Sequence, residues 1–150
     1  MGRWTLLLMI PANLLLIAWV WFGRVVFAVG GWFLLIYAIT VVPVLLGALL
    51  VTTILAFTKP GRPRTLRRAQ AGAQLVMWLG MFGFGLTTVD FGDTDESDMS
   101  AITQVFGRSQ ATLDLSWTLM GVSALVVVVA WATLLVTLIV GRRGSVASTS

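Results

Sequence analysis

Four long apolar segments, separated by short polar or charged stretches, limit the fold of this sequence more than any other feature. They span about residues 4–28, 32–57, 69–89 and 114–141. A helix needs roughly 20 apolar residues to cross about 30 Å of hydrocarbon, and each segment is long enough. Lipid offers no hydrogen bonds to the backbone, so we expect each segment to be a transmembrane helix despite its β-branched residues.

The composition is typical of an integral membrane protein. Hydrophobic residues make up 58% of the 150 residues and charged residues 11%, and the mean hydropathy is +0.96, whereas soluble domains are about one quarter charged. The first apolar segment far exceeds the core of a signal peptide, about 7 to 15 residues, so we expect it to be retained. The sequence therefore predicts one all-α domain, an antiparallel bundle of four transmembrane helices with a short extracytoplasmic surface helix.

The distribution of positive charge predicts the orientation of this bundle. With the N-terminus inside, eight of the ten basic residues lie on the cytoplasmic side, and nine of the ten are arginine, a bias typical of GC-rich bacterial genomes. Only Arg24 and Arg108 fall outside, and Arg24 is close enough to the surface for its side chain to reach water. Because cytoplasmic loops carry the excess of Lys and Arg, we expect a multi-pass protein of a bacterial plasma membrane with both termini cytoplasmic.

A basic loop at residues 58–68 joins the second and third segments, and residues 142–150 form a short cytoplasmic tail. Each Lys or Arg near a negatively charged leaflet adds about 1 kcal/mol of attraction to the membrane. No aromatic residue is interspersed in the loop to stack on bases, which argues against a nucleic-acid partner. We therefore expect contact with anionic lipids through Lys59, Arg62, Arg64, Arg67 and Arg68.

An acidic outer loop is predicted at residues 90–113. It holds five of the six carboxylates of the chain within nine residues: Asp90, Asp93, Asp95, Glu96 and Asp98. A hard cation such as Ca²⁺ binds about six to eight oxygen atoms, so these side chains form a candidate cation site, although they lack the residue order of a calcium loop. The alternatives are a docking surface for a basic partner or cationic solute, and a solvated loop that caps helix ends. The solvated loop is favoured.

A short amphipathic helix is predicted after the acidic residues. Its apolar residues recur at spacings of three and four: Met99, Ile102, Val105 and Phe106. Ser97 or Asp98 is expected to begin this helix and Gly107 to end it, and its apolar face is expected to lie on the membrane surface or over the outer ends of the bundle. For the last long helix, Asp114 is the expected N-cap and Gly141 the expected C-cap.

The apolar segments contain few polar side chains that could form an internal site, and, apart from Asp114 at the start of the fourth, no Asp, Glu, Lys or His. Asn13 follows Pro11, which removes a backbone donor and kinks a helix, and Pro43 does the same in the second segment. Trp78 and Trp131 lie at comparable depths in the third and fourth segments. Asn13, Trp78 and Trp131 are therefore candidates for polar or aromatic packing inside the membrane, which we favour over a ligand cavity.

The residue types that most enzyme chemistry needs are missing. The chain has no cysteine and no histidine, which excludes disulfides, Cys/His zinc sites, histidine-ligated haem and imidazole general bases. No phosphate-binding glycine loop or nucleophile elbow is found, and no cofactor is expected. We expect a non-catalytic accessory, scaffold or interaction subunit that packs with a membrane-protein partner or with itself. The alternative is an oligomeric transporter or channel component whose acidic outer loop concentrates cations.

Overall fold

The computed structural model describes residues 2–58, 65–91 and 98–147, with side chains described as far as residue 141. In these ranges the chain forms helices and no strands, which confirms the predicted helical class, and one isolated antiparallel bridge joins Asp90 to Met99. The helices are, in chain order, α1 (Gly2–Phe22), a 3-10 helix (Gly23–Phe27), α2 (Trp32–Ile39), α3 (Val41–Phe57), α4 (Arg68–Thr87), α5 (Ala101–Phe106) and α6 (Gln110–Ala147).

Three stretches of the described chain are long and apolar enough to cross a membrane. They are Gly2–Phe27, Trp32–Phe57 and Gln110–Gly141, so the first, second and fourth predicted segments are confirmed as apolar helical stretches of spanning length. The third segment, α4, is helical but is not among them. Two glutamines and four glycines among its 20 residues lower its mean hydropathy.

Helix α4 packs most extensively against α6 and then against α1. The backbone N–H of Leu66, just before α4, donates to the carbonyl of Gly2 at 3.4 Å, and Trp19 Nε1 donates to the carbonyl of Phe82 at 2.9 Å. Helices α1 and α4 therefore lie side by side at both ends and run in the same direction. The Nε2 of Gln70 donates to the carbonyl of Thr137 at 3.0 Å, which places the start of α4 beside the last third of α6. Helix α6 therefore runs opposite to α4.

The two ends of the molecule differ in charge. We call the end that contains Arg3, Arg67 and Arg68 the basic end, and the end that contains Asp90 and Asp114 the acidic end. All three arginines of the basic end are exposed. Positive and negative residues of the described chain are thus segregated along the helix axes, apart from Arg24 and Arg108 at the acidic end.

Two apolar clusters lie between the helices. The cluster at the basic end contains Leu6, Met9, Ala56, Leu66, Ala71, Leu134 and Leu138. The second cluster, towards the acidic end, contains Ile17, Val20, Tyr37, Leu49, Met77, Met81 and Ala130. Many large apolar side chains on the other faces remain exposed, including Leu15, Val44 and Leu79. Such faces are stable only when lipid or another apolar surface covers them.

The predicted segment 32–57 is not one continuous helix, because it is interrupted at Thr40. Pro43 has no backbone N–H to donate to the carbonyl of Ile39, four residues before it. At the break, both the backbone N–H and the hydroxyl of Thr40 donate to the carbonyl of Ile36, at 3.0 and 2.6 Å. Helix α1, by contrast, continues without interruption through Pro11.

The predicted caps of the last helix are wrong at both ends. Ser109 and Thr112 begin the helix by reciprocal bonds, because the Thr112 N–H donates to Ser109 Oγ at 3.2 Å and the Ser109 N–H to Thr112 Oγ1 at 2.9 Å. Asp114 lies inside the helix, where its Oδ1 accepts from Gln110 Nε2 at 2.9 Å. Gly141 does not end the helix, which continues to Ala147 through most of the predicted tail 142–150; an interior glycine costs only about 1 kcal/mol relative to alanine.

The predicted short helix is present as α5, with a different N-cap. Ser100 caps it in place of Asp98, since the Ser100 Oγ accepts from the Thr103 N–H at 3.1 Å; Ser97 lies outside the described residues. Gly107, at φ 86°, follows its last residue. Val105 and Phe106 are exposed, whereas Ala101 and Thr103 of α5 are buried. The small and polar residues of α5 are therefore the most deeply buried, while the predicted apolar face is half-buried at Met99 and Ile102.

Candidate functional site

A buried ion pair lies at the acidic end. Arg24 belongs to the 3-10 helix that prolongs α1, and Asp90 follows the end of α4. The Nε of Arg24 lies 3.4 Å from Oδ2 of Asp90, and the two side chains are only 1% and 3% exposed. The expectation that the Arg24 side chain reaches water is therefore wrong. Arg24 is held between the helices by a carboxylate from another part of the chain.

The Asp90 carboxylate also caps the start of α2. Its Oδ2 accepts from the Gly31 N–H at 2.9 Å, and its Oδ1 accepts from the N–H groups of Phe33 and Phe91, each at 3.0 Å. A negative charge is favourable at a helix N-terminus, where unpaired N–H groups and the helix dipole present positive potential. Asp90 thus connects three segments, the end of α1, the start of α2 and the end of α4.

Aromatic rings complete the surroundings of Arg24. Its guanidinium carbon lies 4.7 Å from the ring centroid of Tyr37 and 6.0 Å from that of Phe33. Such cation–π contacts are attractive, and more so where water is excluded. Within the described part of the chain, none of the three guanidinium nitrogens has a hydrogen-bond partner. The ion pair and the two rings are therefore what stabilise this buried charge.

Backbone pairing fixes the two ends of the acidic loop. Asp90 and Met99 exchange hydrogen bonds of 2.7 and 3.0 Å, and the Trp32 N–H donates to the carbonyl of Phe91 at 3.3 Å. The hydroxyls of Ser100 and Ser116 lie 2.8 Å apart, which joins the start of α5 to α6. The loop therefore leaves and re-enters the helical part of the molecule at one place, directly beside the Arg24–Asp90 pair.

The Asp90 carboxylate of the candidate cation site is already bonded within the protein. Its two oxygens already accept three N–H groups and face Arg24, which leaves no free coordination for a cation. Asp98 is partly buried beside Met99. In the described ranges no three His, Cys, Asp or Glu side chains are close enough to hold a metal ion. Three predicted members of the site lie outside the described residues: Asp93, Asp95 and Glu96.

A second polar cluster lies inside the helices and is centred on Asn13. Its Oδ1 accepts from Trp78 Nε1 at 2.8 Å and from Gln74 Nε2 at 3.1 Å, and its Nδ2 donates to Thr53 Oγ1 at 3.3 Å. The indole N–H can only donate, so the atom of Asn13 that faces Trp78 must be the oxygen. The amide of Asn13 thereby joins α1, α3 and α4.

The structure brings together two of the three predicted packing residues, Asn13 and Trp78. Trp131 is not bonded to them; its Nε1 donates to the carbonyl of Ala48 at 3.0 Å and joins α6 to α3. Both tryptophans pack against the second apolar cluster. Sequence reasoning did not identify Gln74 and Thr53 as the partners of Asn13. A glutamine inside an apolar segment was the available signal, because a buried amide in lipid needs a partner.

The predicted lipid-contact residues divide into two groups. Arg67 and Arg68 are exposed at the start of α4. The Arg67 N–H donates to Gln70 Oε1 at 3.0 Å, which caps this end of the helix. The remaining three lie outside the described residues: Lys59, Arg62 and Arg64.

The grooves on the molecule are mainly apolar. They measure about 160 to 530 Å³ and are lined by leucine, valine and other apolar side chains, with Asn13 and Thr53 in one and Thr133 in another. The polar side chains of the two clusters are bonded from helix to helix. Such an arrangement holds helices together.

Comparison with known proteins finds no family model that matches this chain, no similar curated protein and no similar solved structure.

Proposed function

We propose that this protein is a non-catalytic integral membrane subunit, an accessory or scaffold component of a complex in a bacterial plasma membrane. One observation carries the proposal. The buried polar groups are bonded between helices, as Asn13 is to Trp78 and Asp90 is to Gly31, while large apolar side chains cover the outer faces. Polar groups arranged in this way hold helices together and do not line a path for a solute.

Helix α4 is the fourth membrane-crossing helix of the proposal. Its 20 residues measure about 30 Å, which matches the hydrocarbon thickness. Its mean hydropathy is low, but Gln70 and Gln74 are buried between helices and do not face lipid. Because α4 packs between α1 and α6, two helices of spanning length accompany it along its whole course. In this proposal α4 inserts into the membrane because neighbouring helices enclose its polar residues, and not because its own sequence is strongly apolar.

The segregation of charge supports a cytoplasmic basic end. Arg3, Arg67 and Arg68 share that end, and the described carboxylates Asp90, Asp98 and Asp114 lie at the opposite end. Lys and Arg accumulate in cytoplasmic loops, so both termini face the cytoplasm in this proposal. Contact of the basic loop with anionic lipids follows from the same orientation.

Helix α3 is the surface proposed to meet a membrane-protein partner. Only Leu49, Thr52 and Ala56 of its 17 residues are buried. Val44 and Leu50 are 70% and 59% exposed. In lipid, helices associate through close packing and hydrogen bonds, and α3 is the long helix with the most surface left to pack.

The orientation can be tested directly because the chain has no native cysteine. In intact cells, a membrane-impermeant maleimide should label an Asp95→Cys variant and not an Arg62→Cys variant. Both variants should react after the membrane is permeabilised, which controls for accessibility. Labelling of Arg62→Cys from outside would contradict the proposed orientation.

The scaffold role can be tested by photocrosslinking in cells followed by purification in mild detergent. A photoreactive residue at Leu50 on α3 should give one adduct of defined mass with a stoichiometric membrane protein, and the same residue at the exposed Leu7 of α1 should not. If the purified chain is instead an isolated homo-oligomer that conducts ions in liposomes, the transporter or channel function replaces this proposal.

A further inference from the structure

One face of α4 carries small residues and a single valine at spacings of three and four: Ala69, Gly72, Ala73, Val76, Gly80 and Gly83. Towards the acidic end, α6 covers this face tightly. A Cβ added at Gly80 would lie 2.9 Å from Cγ2 of Val127, and one added at Gly83 would lie 2.9 Å from Oγ of Ser123. These two glycines therefore allow the backbones of α4 and α6 to approach closely.

Towards the basic end the same face is open. A Cβ added at Gly72 would have no atom within 4 Å, and Ala69, Gly72 and Val76 are exposed. Here a groove of about 530 Å³ runs between α4 and α6, with Val126, Val129 and other apolar residues of α6 on its far wall. The small face of α4 thus continues past the region that α6 covers.

The length of the groove indicates what can occupy it. From Ala69 to Val76 it extends about 10 Å along α4, less than the roughly 15 Å of hydrocarbon in one leaflet. A transmembrane helix of a partner would need a face that spans both leaflets, but α6 already occupies the other part of this face. An acyl chain from one leaflet fits the available length.

The charge at the mouth of the groove indicates the headgroup. Arg67 and Arg68 immediately precede Ala69 on one wall and are exposed. The described carboxylates lie at the acidic end. An anion at this mouth therefore lies beside the positive charges of Arg67 and Arg68 and far from the described carboxylates.

We propose that this groove is a binding site for one anionic phospholipid of the cytoplasmic leaflet, with an acyl chain against Gly72 and the phosphate beside Arg67 and Arg68. The site rests on the proposed function in one respect, since the orientation decides which leaflet supplies the lipid. The small side chains of α4 let methylene groups approach its backbone, and such contacts provide the dispersion attraction that favours association in lipid.

The test is lipid retention by the full-length chain in mild detergent, measured by native mass spectrometry. The probes are phosphatidylglycerol and phosphatidylcholine with identical acyl chains at equal concentration. The wild-type chain should retain one phosphatidylglycerol. Gly72→Leu should lose it, because the new side chain fills the groove without meeting protein, and Ala69→Leu should do the same. Gly47→Leu is the matched control, since a Cβ at Gly47 on α3 also meets nothing within 4 Å; this variant should retain the lipid.

The headgroup is tested with Arg67→Gln and Arg68→Gln. Each should lower the preference for phosphatidylglycerol over phosphatidylcholine about fivefold, as expected for the loss of one interfacial charge. Arg108→Gln, at the acidic end, should leave the preference unchanged.

Equal retention of phosphatidylglycerol by Gly72→Leu and Gly47→Leu would overturn the site. Equal retention of the two lipids by the wild-type chain would overturn the preference of the site for an anionic headgroup. Lipid retention by the purified chain depends neither on the orientation of the chain in the cell nor on a protein partner. Failure of the proposed function would therefore be seen separately, in the labelling and crosslinking experiments.

Discussion

Arg24 and Asp90 form an ion pair with 3.4 Å between Nε and Oδ2, and both side chains are almost completely buried. Sixty-six positions separate them in the sequence, and each follows the end of a long helix. The same carboxylate accepts the N–H groups at the start of α2. Desolvating two charges costs several kcal/mol for each ion, so this arrangement is stable only while every partner is in place. The acidic end is therefore sensitive to single substitutions.

Asp90→Asn should destabilise the protein strongly. The amide keeps the size of the side chain but removes the negative charge, so the buried guanidinium of Arg24 loses its counter-ion. We expect the free energy of unfolding to fall by about 3–5 kcal/mol, measured by reversible unfolding in detergent. The control is Asp114→Asn, which removes the same charge at an exposed position and should change stability by about 0.5 kcal/mol or less. Equal losses in the two variants would contradict a special role for the ion pair.

Removing both charges should restore part of the stability. A double variant, Arg24→Met with Asp90→Asn, leaves no uncompensated charge between the helices, and the unbranched Met side chain occupies much of the volume of the arginine. We expect it to unfold at a higher temperature than Asp90→Asn alone. If the double variant is less stable than the single one, the loss in Asp90→Asn comes from the capping bonds to α2 and not from the unpaired Arg24.

Gly31→Ala should weaken the same region for a steric reason. A Cβ at Gly31 would lie 2.6 Å from the carbonyl oxygen of Phe91 and 2.7 Å from Oδ1 of Asp90, so the capping carboxylate would have to move. We expect a loss of about 1–3 kcal/mol in the same unfolding measurement. Gly30→Ala is the matched control, because a Cβ there meets nothing within 4 Å. A Gly31→Ala variant as stable as Gly30→Ala would show that the acidic end tolerates displacement of Asp90.

The helices were predictable from the sequence because apolar length is a local property. The predicted limits 32–57 coincide with the start of α2 and the end of α3, and the predicted third segment, 69–89, differs from α4 by one residue at its start and two at its end. From the sequence, Pro43 predicts only that the carbonyl of Ile39 loses its hydrogen-bond donor. A proline can kink a helix or interrupt it, and the sequence does not decide which. Helix α1 passes through Pro11 unbroken. The predicted caps of α6 were wrong because several residues near its ends can cap a helix equally well.

The polar contacts were less predictable because they depend on how the helices are rotated against each other. Charge counting places Arg24 and Asp90 at one end, but it treats a charge near a helix end as solvated, and only the packed structure shows the pair to be buried. Asn13 was a recognisable candidate because an amide in an apolar segment needs a partner. Its choice of Trp78 over Trp131 depends on which face of each helix meets α1, and an all-apolar sequence carries little periodicity to indicate that face.

The Asn13 cluster should behave as one unit that does not include Trp131. Asn13→Ala leaves the donors Trp78 Nε1 and Gln74 Nε2 buried without their acceptor, and we expect the free energy of unfolding to fall by about 1–3 kcal/mol. Trp78→Phe removes the indole donor and keeps an aromatic ring. A double-mutant cycle between Asn13→Ala and Trp78→Phe should give a coupling energy of about 0.6–1.7 kcal/mol, the range for hydrogen bonds between membrane helices.

Trp131→Phe supplies the control for this cycle, since its indole donates to the carbonyl of Ala48 and not to Asn13. It is the same substitution at a similar depth, and both tryptophans contact the same apolar cluster. The cycle between Asn13→Ala and Trp131→Phe should therefore give a coupling energy near zero. Coupling of equal size in the two cycles would mean that Asn13 acts through general packing of α3 and α4, and that its hydrogen bonds are not what joins α1 to them.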